Sequence, residues 1–386
     1  MNKISLKKLY LSILNILFKK VKVRKNKIIF IDFNGKGYGD NPKYICEWLR
    51  NNVSGLDLVW LCDDINNFPT GVRAVRYGTF RAFYEQATAK IWISNIKAFS
   101  RVKKKKNQFY LQTWHAGLGL KKCEGDAIET LTPEYIKESQ SDSKQIDMMI
   151  SDCKWLTDYY HKFFWYDGFI AETGLPRNDV FFKNRELIRD KVKKYFEIDE
   201  NTEIILYAPT FRQYESIEKQ IDIYKFNESR VIRAFQHKYH KDFILVKRLH
   251  PNISNTIKFR ENSIIKNGAF YPDMQELLLG SFALITDFSS SIFDYFLFSN
   301  QIYLYAKDYE AYIKYERPLN FDLKKDIPFP FANNEDQLLE IIMNFDDEKA
   351  NKKINEFKNK LKLTEDGKAS ERVSKILLNE LQRENL

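Results

Sequence analysis

A histidine in a glycine-punctuated turn carries the first chemistry of this chain: Gln112-Thr113-Trp114-His115-Ala116-Gly117-Leu118-Gly119-Leu120-Lys121-Lys122, directly after the apolar run Phe109 to Leu111. An imidazole with an unperturbed pKa near ~6.5 is suited to taking a proton from a hydroxyl at neutral pH. Gly117 and Gly119 let backbone N–H groups approach a ligand, while Lys121 and Lys122 bring positive charge. Three more segments set phosphate-compatible groups at the ends of apolar runs. Glu203 to Tyr207 leads into Thr210 and Arg212, and Ile244 to Val246 leads into Lys247, Arg248 and His250. Ala283 to Thr286 leads through Asp287 into Ser289-Ser290-Ser291, where serine caps and open N–H groups at a helix start favour an anion. Each segment alone reads as a strand end, a capped helix or a surface arginine. All three fall within about 90 residues, which folding needs alone do not explain.

Strand and helix patterns alternate around these segments. Strands are expected at Lys27 to Phe33, Leu56 to Cys62, Val72 to Val75, Ile91 to Ser94, Ile146 to Ser151 and Phe169 to Glu172, with helices near Pro42 to Asn51, Thr79 to Thr88 and Lys154 to Phe164. The second half repeats the scheme, with strands at 203–207, 243–248, 263–266, 283–287 and 301–305. Its helices are expected near 186–195, 228–239, 274–279, 336–344 and 370–381, with one more after the serines. Such alternation predicts an α/β fold with parallel sheets covered by helices on both faces. Gly35, Gly37 and Gly39 lack the G-x-G-x-x-G spacing of a dinucleotide site. Four pieces are expected: residues 1–25 as a membrane-surface helix and basic linker, 26–185 and 186–365 as two Rossmann-like domains, and 366–386 as a C-terminal helix.

The chain has 386 residues, a net charge of +10 and 44% hydrophobic residues, enough for two cores and inconsistent with global disorder. Excess positive charge suits anionic partners: nucleotides, phosphorylated polymers or a lipid surface. Cys46, Cys62, Cys123 and Cys153 show neither CxxC nor Cys/His spacing, so no disulfide framework or structural zinc is expected, and a reducing cytosolic setting fits. The acid pairs Asp63-Asp64 and Asp346-Asp347 lie outside the motifs, so neither a metal nor another cofactor is expected. The basic runs at 19–27 and 97–106 lack interleaved stacking aromatics, which speaks against nucleic acid. Leu9 to Phe18 is apolar and bordered by lysines but far short of the ~20 residues that cross a bilayer, so it reads as an interfacial helix on an anionic membrane.

Together QTWHAGLGLKK (112–122), TGLPRND (173–179), YAPTFR (207–212), RLHP (248–251) and TDFSSSIFDY (286–295) resemble, in order and spacing, the CDP-glycerol glycerophosphotransferase family of teichoic-acid and capsule synthesis. The resemblance extends from about residue 26 to the segment Asp366 to Arg372. It implies a GT-B fold, with two Rossmann-like domains facing a cleft, a CDP-polyol donor and a lipid-linked glycan or polyol-phosphate acceptor. It also implies peripheral attachment to the cytoplasmic face of the cell membrane. Many members read His-Gly-Thr-Pro after the tryptophan, whereas this chain reads His115-Ala116-Gly117-Leu118-Gly119. That departure leaves the polyol open between glycerol, ribitol and others. On this reading His115 is the base, and His250 meets the donor phosphates or assists the leaving group. Thr210, Arg212, Arg248, Thr286, Ser289, Ser290 and Asp294 bind the donor, and Trp114, Gly117 and Lys121 bind the acceptor. A GT-B glycosyltransferase acting on a nucleotide sugar would use the same phosphate groups and is the principal rival.

Overall fold

Runs such as Ile28 to Ile31 and Leu58 to Cys62 have no polar face, so they are stable only as inner strands of parallel sheets covered on both sides. A computed structural model describes residues 12–97, 102–249, 253 and 261–383, and the chain divides into two units. The first comprises Met1–Gly117, Leu131–Asp179 and Thr364–Leu386; the second comprises Leu118–Thr130 and Val180–Leu363.

The first unit holds a seven-stranded sheet: β1 (Arg24–Ile31), β2 (Asp57–Cys62), β3 (Val72–Arg76), β4 (Ala89–Ser94), β5 (Phe109–Gln112), β6 (Met148–Ser151) and β7 (Phe169–Glu172). Its order is β3-β2-β1-β4-β5-β6-β7, with every pairing parallel. The second unit holds a six-stranded parallel sheet: β8 (Glu203–Tyr207), β9 (Phe243–Lys247), β10 (Ile265–Asn267), β11 (Ala283–Thr286), β12 (Ile302–Tyr305) and β13 (Phe331–Ala332). Its order is β10-β9-β8-β11-β12-β13. Strand order reverses between β1 and β4 in the first sheet, and between β8 and β11 in the second. In open parallel sheets the carboxyl ends of the strands at such a reversal flank a crevice, because the loops on either side depart in opposite directions.

Helices confirm the alternating pattern, with local departures. Phe80–Thr88 starts at Thr79, whose side chain accepts from the Ala82 N–H at 3.2 Å. Ala369–Gln382 buries Val373 and Leu377 in the first unit's core beside Ile45 and Leu49. Its first amides, Ala369 and Ser370, donate to Asp179 at 2.9 and 2.8 Å, a carboxylate at a helix start. The last helix is therefore part of the first unit, not a separate piece. The units also exchange chain at Asp179–Val180 rather than at 185–186, and Leu118–Thr130 joins the second unit. The helix expected after the serines is a single turn, Ile292–Tyr295, too short to gather a useful dipole. Pro133–Ser143, Ile217–Tyr224, Tyr309–Tyr315 and Asp347–Leu361 are helices that the apolar pattern did not show.

The beginning of the Leu9 to Phe18 run lies outside the described residues; residues 12–19 are helical. Leu14 and Phe18 are buried with Ala87 and pack against Phe83 and Tyr84, so one face of this helix docks on the first unit. Ile13, Ile16 and Leu17 stay 47%, 71% and 57% exposed, an apolar face that nothing among the described residues covers. Among the described residues, no helix is long and apolar enough to cross a membrane.

Candidate active site

In the first unit the polar residues gather where the strand order reverses. β1 ends at Ile31 and is followed by Asp32; β4 ends at Ser94 and is followed by Asn95. The fully buried Asn95 side chain donates to Asp32 at 2.6 Å and to Asp40 at 2.9 Å, and its Oδ1 accepts from the Phe33 N–H at 3.0 Å. The half-buried His115, just past β5, places Nδ1 2.9 Å from the Asn95 carbonyl. A carbonyl can only accept, so Nδ1 carries the proton, and in the neutral ring the basic lone pair is on Nε2. Arg177 binds the His115 carbonyl at 2.6 Å and Asp40 at 3.1 Å, and Asn41 ties Arg177 N–H (3.1 Å) to the Trp114 carbonyl (3.1 Å). Phe33, Asn34, Asp40 and Trp114 all have left-handed backbones, with φ of 39°, 58°, 51° and 53°. Non-glycine residues in this region are strained, and their clustering fits a site whose geometry is enforced by its surroundings.

Trp114, expected at the acceptor, is buried; its ring lies 4.3 Å from the His115 ring and 4.9 Å from Phe164. It shapes the imidazole's seat. At Gly117 a Cβ would come within 2.5 Å of Asp152 Oδ2 and 2.6 Å of Leu175, so the glycine serves close packing rather than access for a ligand.

In the second unit the YAPTFR and TDFSSS segments leave β8 and β11, the two strands at the reversal. Asp287 links them: one oxygen accepts from Thr210 N–H at 2.8 Å and Phe288 N–H at 2.6 Å, the other from Arg212 at 2.8 Å. Arg212 is only 1% exposed and also makes two bonds to Asp308, at 2.7 and 2.9 Å. Its guanidinium lies 5.0 Å from the ring centres of both Phe288 and Tyr312. Burial would lower its pKa, but Asp287 and Asp308 outweigh that and raise it. Burial likewise works against Asp308, and Arg212 holds that carboxyl below its ordinary value. The structure thus gives Arg212 two carboxylate partners in place of the exposed position expected for a phosphate contact.

The other expected donor residues separate into two groups. Ser289 and Ser291 hydroxyls are 2.9 Å apart, Ser290 Oγ accepts from the Leu120 N–H at 3.1 Å, and the buried Thr210 hydroxyl has no hydrogen-bond partner. These hydroxyls stand at the reversal. Thr286 does not offer its hydroxyl: it is fully buried and donates to the Ala208 carbonyl at 2.6 Å, stapling β11 to the β8 side. Arg248 donates to the Gly268 and Tyr271 carbonyls, both at 2.8 Å, and burial lowers its pKa. Asp294 is buried and accepts from Gln275 at 3.1 Å. His250 lies outside the described residues. Lys121, expected with the acceptor, belongs to the second unit and pairs with Leu319 in an antiparallel bridge. Sequence reasoning missed Asp32, Asp40, Asn41, Asn95 and Asp308; only the position of Asp32 and Asn95 at strand ends signals them. Among the described residues no group of three His, Cys, Asp or Glu side chains is placed to hold a metal.

Two parallel α/β sheets, each with polar groups collected at its strand-order reversal, define a nucleotide-type α/β scaffold of two units. The chain belongs to the CDP-glycerol:poly(glycerophosphate) glycerophosphotransferase family, whose profile matches residues 13–379. A teichoic acid glycerol-phosphate transferase of Staphylococcus aureus is 31% identical over 92% of this chain and 93% of its own length. A teichoic acid poly(glycerol phosphate) polymerase of Staphylococcus epidermidis is 28% identical over 97% of this chain, which spans about half of that relative (53%). The wall teichoic acid polymerase TagF, solved as a histidine-to-asparagine variant soaked with CDPG, superimposes with a TM-score of 0.85 at 26% identity, covering 97% of this chain and 94% of that one.

Proposed function

We propose that this chain transfers glycerol phosphate from CDP-glycerol to a hydroxyl of a lipid-linked or polymeric glycan in teichoic-acid synthesis. The acceptor oxygen attacks the phosphorus that bears glycerol, and the new O–P bond forms as the bond to the bridging oxygen breaks. CMP leaves with that electron pair, and the acceptor proton passes to His115 Nε2. The observation that carries this reading is the His115 Nδ1 contact with the Asn95 carbonyl, which sets the tautomer a base requires. Asp32, Asp40 and Arg177 hold that contact in register as positioning residues. In the second unit, the hydroxyls of Thr210, Ser289 and Ser290 receive donor phosphate oxygens, as loose phosphoryl transfer depends on positioning and charge stabilisation. Arg212 orders the segment that presents them.

Peripheral attachment to the cytoplasmic face of the membrane accompanies this reading. Its support is the exposed face of Ile13, Ile16 and Leu17 beside Lys19, Lys20 and Lys22, which suits an apolar edge in an anionic headgroup layer. The test of the function is a product mass spectrum from protein, a lipid-linked disaccharide, and CDP-glycerol, CDP-ribitol or nucleotide sugars in parallel. Glycerol phosphate addition with CMP release is expected. Addition of ribitol phosphate or of a sugar alone would contradict it.

A further inference from the structure

Among the described residues, Lys121 is a motif cation of the second unit with no ion pair. Its backbone is fixed from two sides. Lys122 N–H donates to Pro318 (2.9 Å), Asn320 N–H to Leu120 (2.8 Å), and the Asn320 side chain to Gly119 (2.9 Å). On the other side, Leu120 N–H reaches Ser290 Oγ at 3.1 Å. The charged groups that act on the Lys121 ammonium are Asp287, Arg317, Arg212 and Glu316. Both carboxylates are engaged elsewhere: Asp287 with Arg212, Thr210 N–H and Phe288 N–H, and Glu316 with the Gln213 and Tyr214 N–H groups. Among the described residues Lys121 makes no ion pair. Burial pulls its pKa down to about 8, a pull the attraction of Asp287 only partly offsets. Lys121 is partly exposed, Arg317 and Arg212 oppose its charge, and both carboxylates are occupied, so an added anion stabilises it. The adjoining Leu120 N–H reaches Ser290, and Asp287, in the same segment, binds Thr210 N–H, whose own buried hydroxyl has no partner.

We propose that Lys121 is an anion-binding residue of the second unit which, with the Ser290 and Thr210 hydroxyls, receives the diphosphate of the CDP-activated donor. The inference rests on the donor reading above and moves Lys121 from the acceptor to the donor. It also makes donor binding depend on pH, because only the protonated amine binds and the ligand must supply the energy to hold that proton. The diphosphate diester of CDP-glycerol does not itself titrate near neutrality, so any loss of affinity above pH 8 belongs to the protein.

The experiment is calorimetric titration of CDP-glycerol, without acceptor, into wild type, Lys121→Gln and Lys121→Arg from about pH 6.5 to about pH 9.5, with thermal melts as a folding control. Wild-type affinity is expected to fall about tenfold per pH unit above the Lys121 pKa. Lys121→Gln is expected to bind roughly 10- to 100-fold more weakly at pH 7, without that decline, since a charged hydrogen bond is lost. Lys121→Arg, whose charge persists, should bind without the decline and so remains informative if the glutamine variant folds poorly. Unchanged donor affinity in Lys121→Gln, or a pH profile unchanged in Lys121→Arg, overturns the inference while leaving the function intact. Failure of wild type itself to bind CDP-glycerol at any pH overturns the function, and this inference with it.

Discussion

Beside the reversal in the first sheet, His115, just past β5, bonds the Asn95 carbonyl at the end of β4 on a strained backbone; at the reversal in the second, Arg212 is sealed between two carboxylates and two aromatic rings. Both places sit beyond the carboxyl ends of parallel strands. In the first, a hydrogen bond to a neutral carbonyl orients a side chain that stays half-buried. In the second, ion pairs consume the charge of the motif's most prominent cation. A strand-end cation in a motif is therefore not by itself a ligand contact; what its charge is already doing decides.

The largest expected effect falls on the sealed side. Arg212→Met leaves Asp287 and Asp308 buried without their partner, which should cost about 3–5 kcal/mol of stability, read from urea unfolding. A variant as stable as wild type that lost only donor affinity would reverse the comparison and make Arg212 a phosphate ligand.

Next comes Arg177, which grips the His115 carbonyl and Asp40. Arg177→Met should cost about 1.5–3 kcal/mol of stability. Turnover should fall roughly 10- to 100-fold, while the shape of the pH–rate profile persists because the base itself is retained. Loss of the profile's acid limb would mean that Arg177 tunes the reacting group directly.

A smaller effect tests a buried carboxyl of the first unit. Burial, with Asp152 nearby, raises Glu365 to about 8, while its Oε1 accepts from Leu175 N–H at 3.1 Å and Asn178 at 2.9 Å. The folded chain thus keeps a proton that the unfolded chain loses near the ordinary value of 4.5, so its contribution is whole below that pH and drains away as pH rises to about 8. Glu365→Gln keeps both acceptor contacts and resembles the protonated acid. It should therefore gain at least about 1 kcal/mol over wild type at alkaline pH relative to acidic pH, one pKa unit's worth. Equal pH dependence in both proteins would show Glu365 ionised in the fold.

Smallest is Ser290→Ala, which removes one neutral hydrogen bond. It should weaken CDP-glycerol binding by about 1 kcal/mol, close to fivefold, in calorimetry. No change would take Ser290 out of the donor site and leave it as the anchor of Leu120 alone.

The sheets were legible because their strands are short apolar runs such as Ile28 to Ile31 and Ala283 to Thr286, which have one stable environment. Helices such as Asp347–Leu361 were not, since only Ile354 and Leu361 are buried and the remainder reads as a charged, lysine-rich stretch. His115 stood out by its rarity and its glycine-rich turn. Asn95 and Asp308 did not, because their importance comes from partners 63 and 96 residues away, a separation no local pattern carries. Arg212 was found by type, but its carboxylate partners Asp287 and Asp308 were not, for the same reason: they are distant in sequence. The division into units was blurred by Leu118–Thr130, which follows directly on His115 yet folds with the second unit.

The central claim is that His115 takes the acceptor proton in glycerol phosphate transfer. Its most direct measurement is the rate of CMP release from CDP-glycerol with a lipid-linked acceptor, for wild type and His115→Ala, with donor affinity and thermal midpoint determined on the same samples. The account predicts a loss of about 10²–10⁴-fold in kcat, with donor affinity and midpoint little changed. More than about a third of wild-type turnover in a folded, donor-binding His115→Ala protein would contradict it.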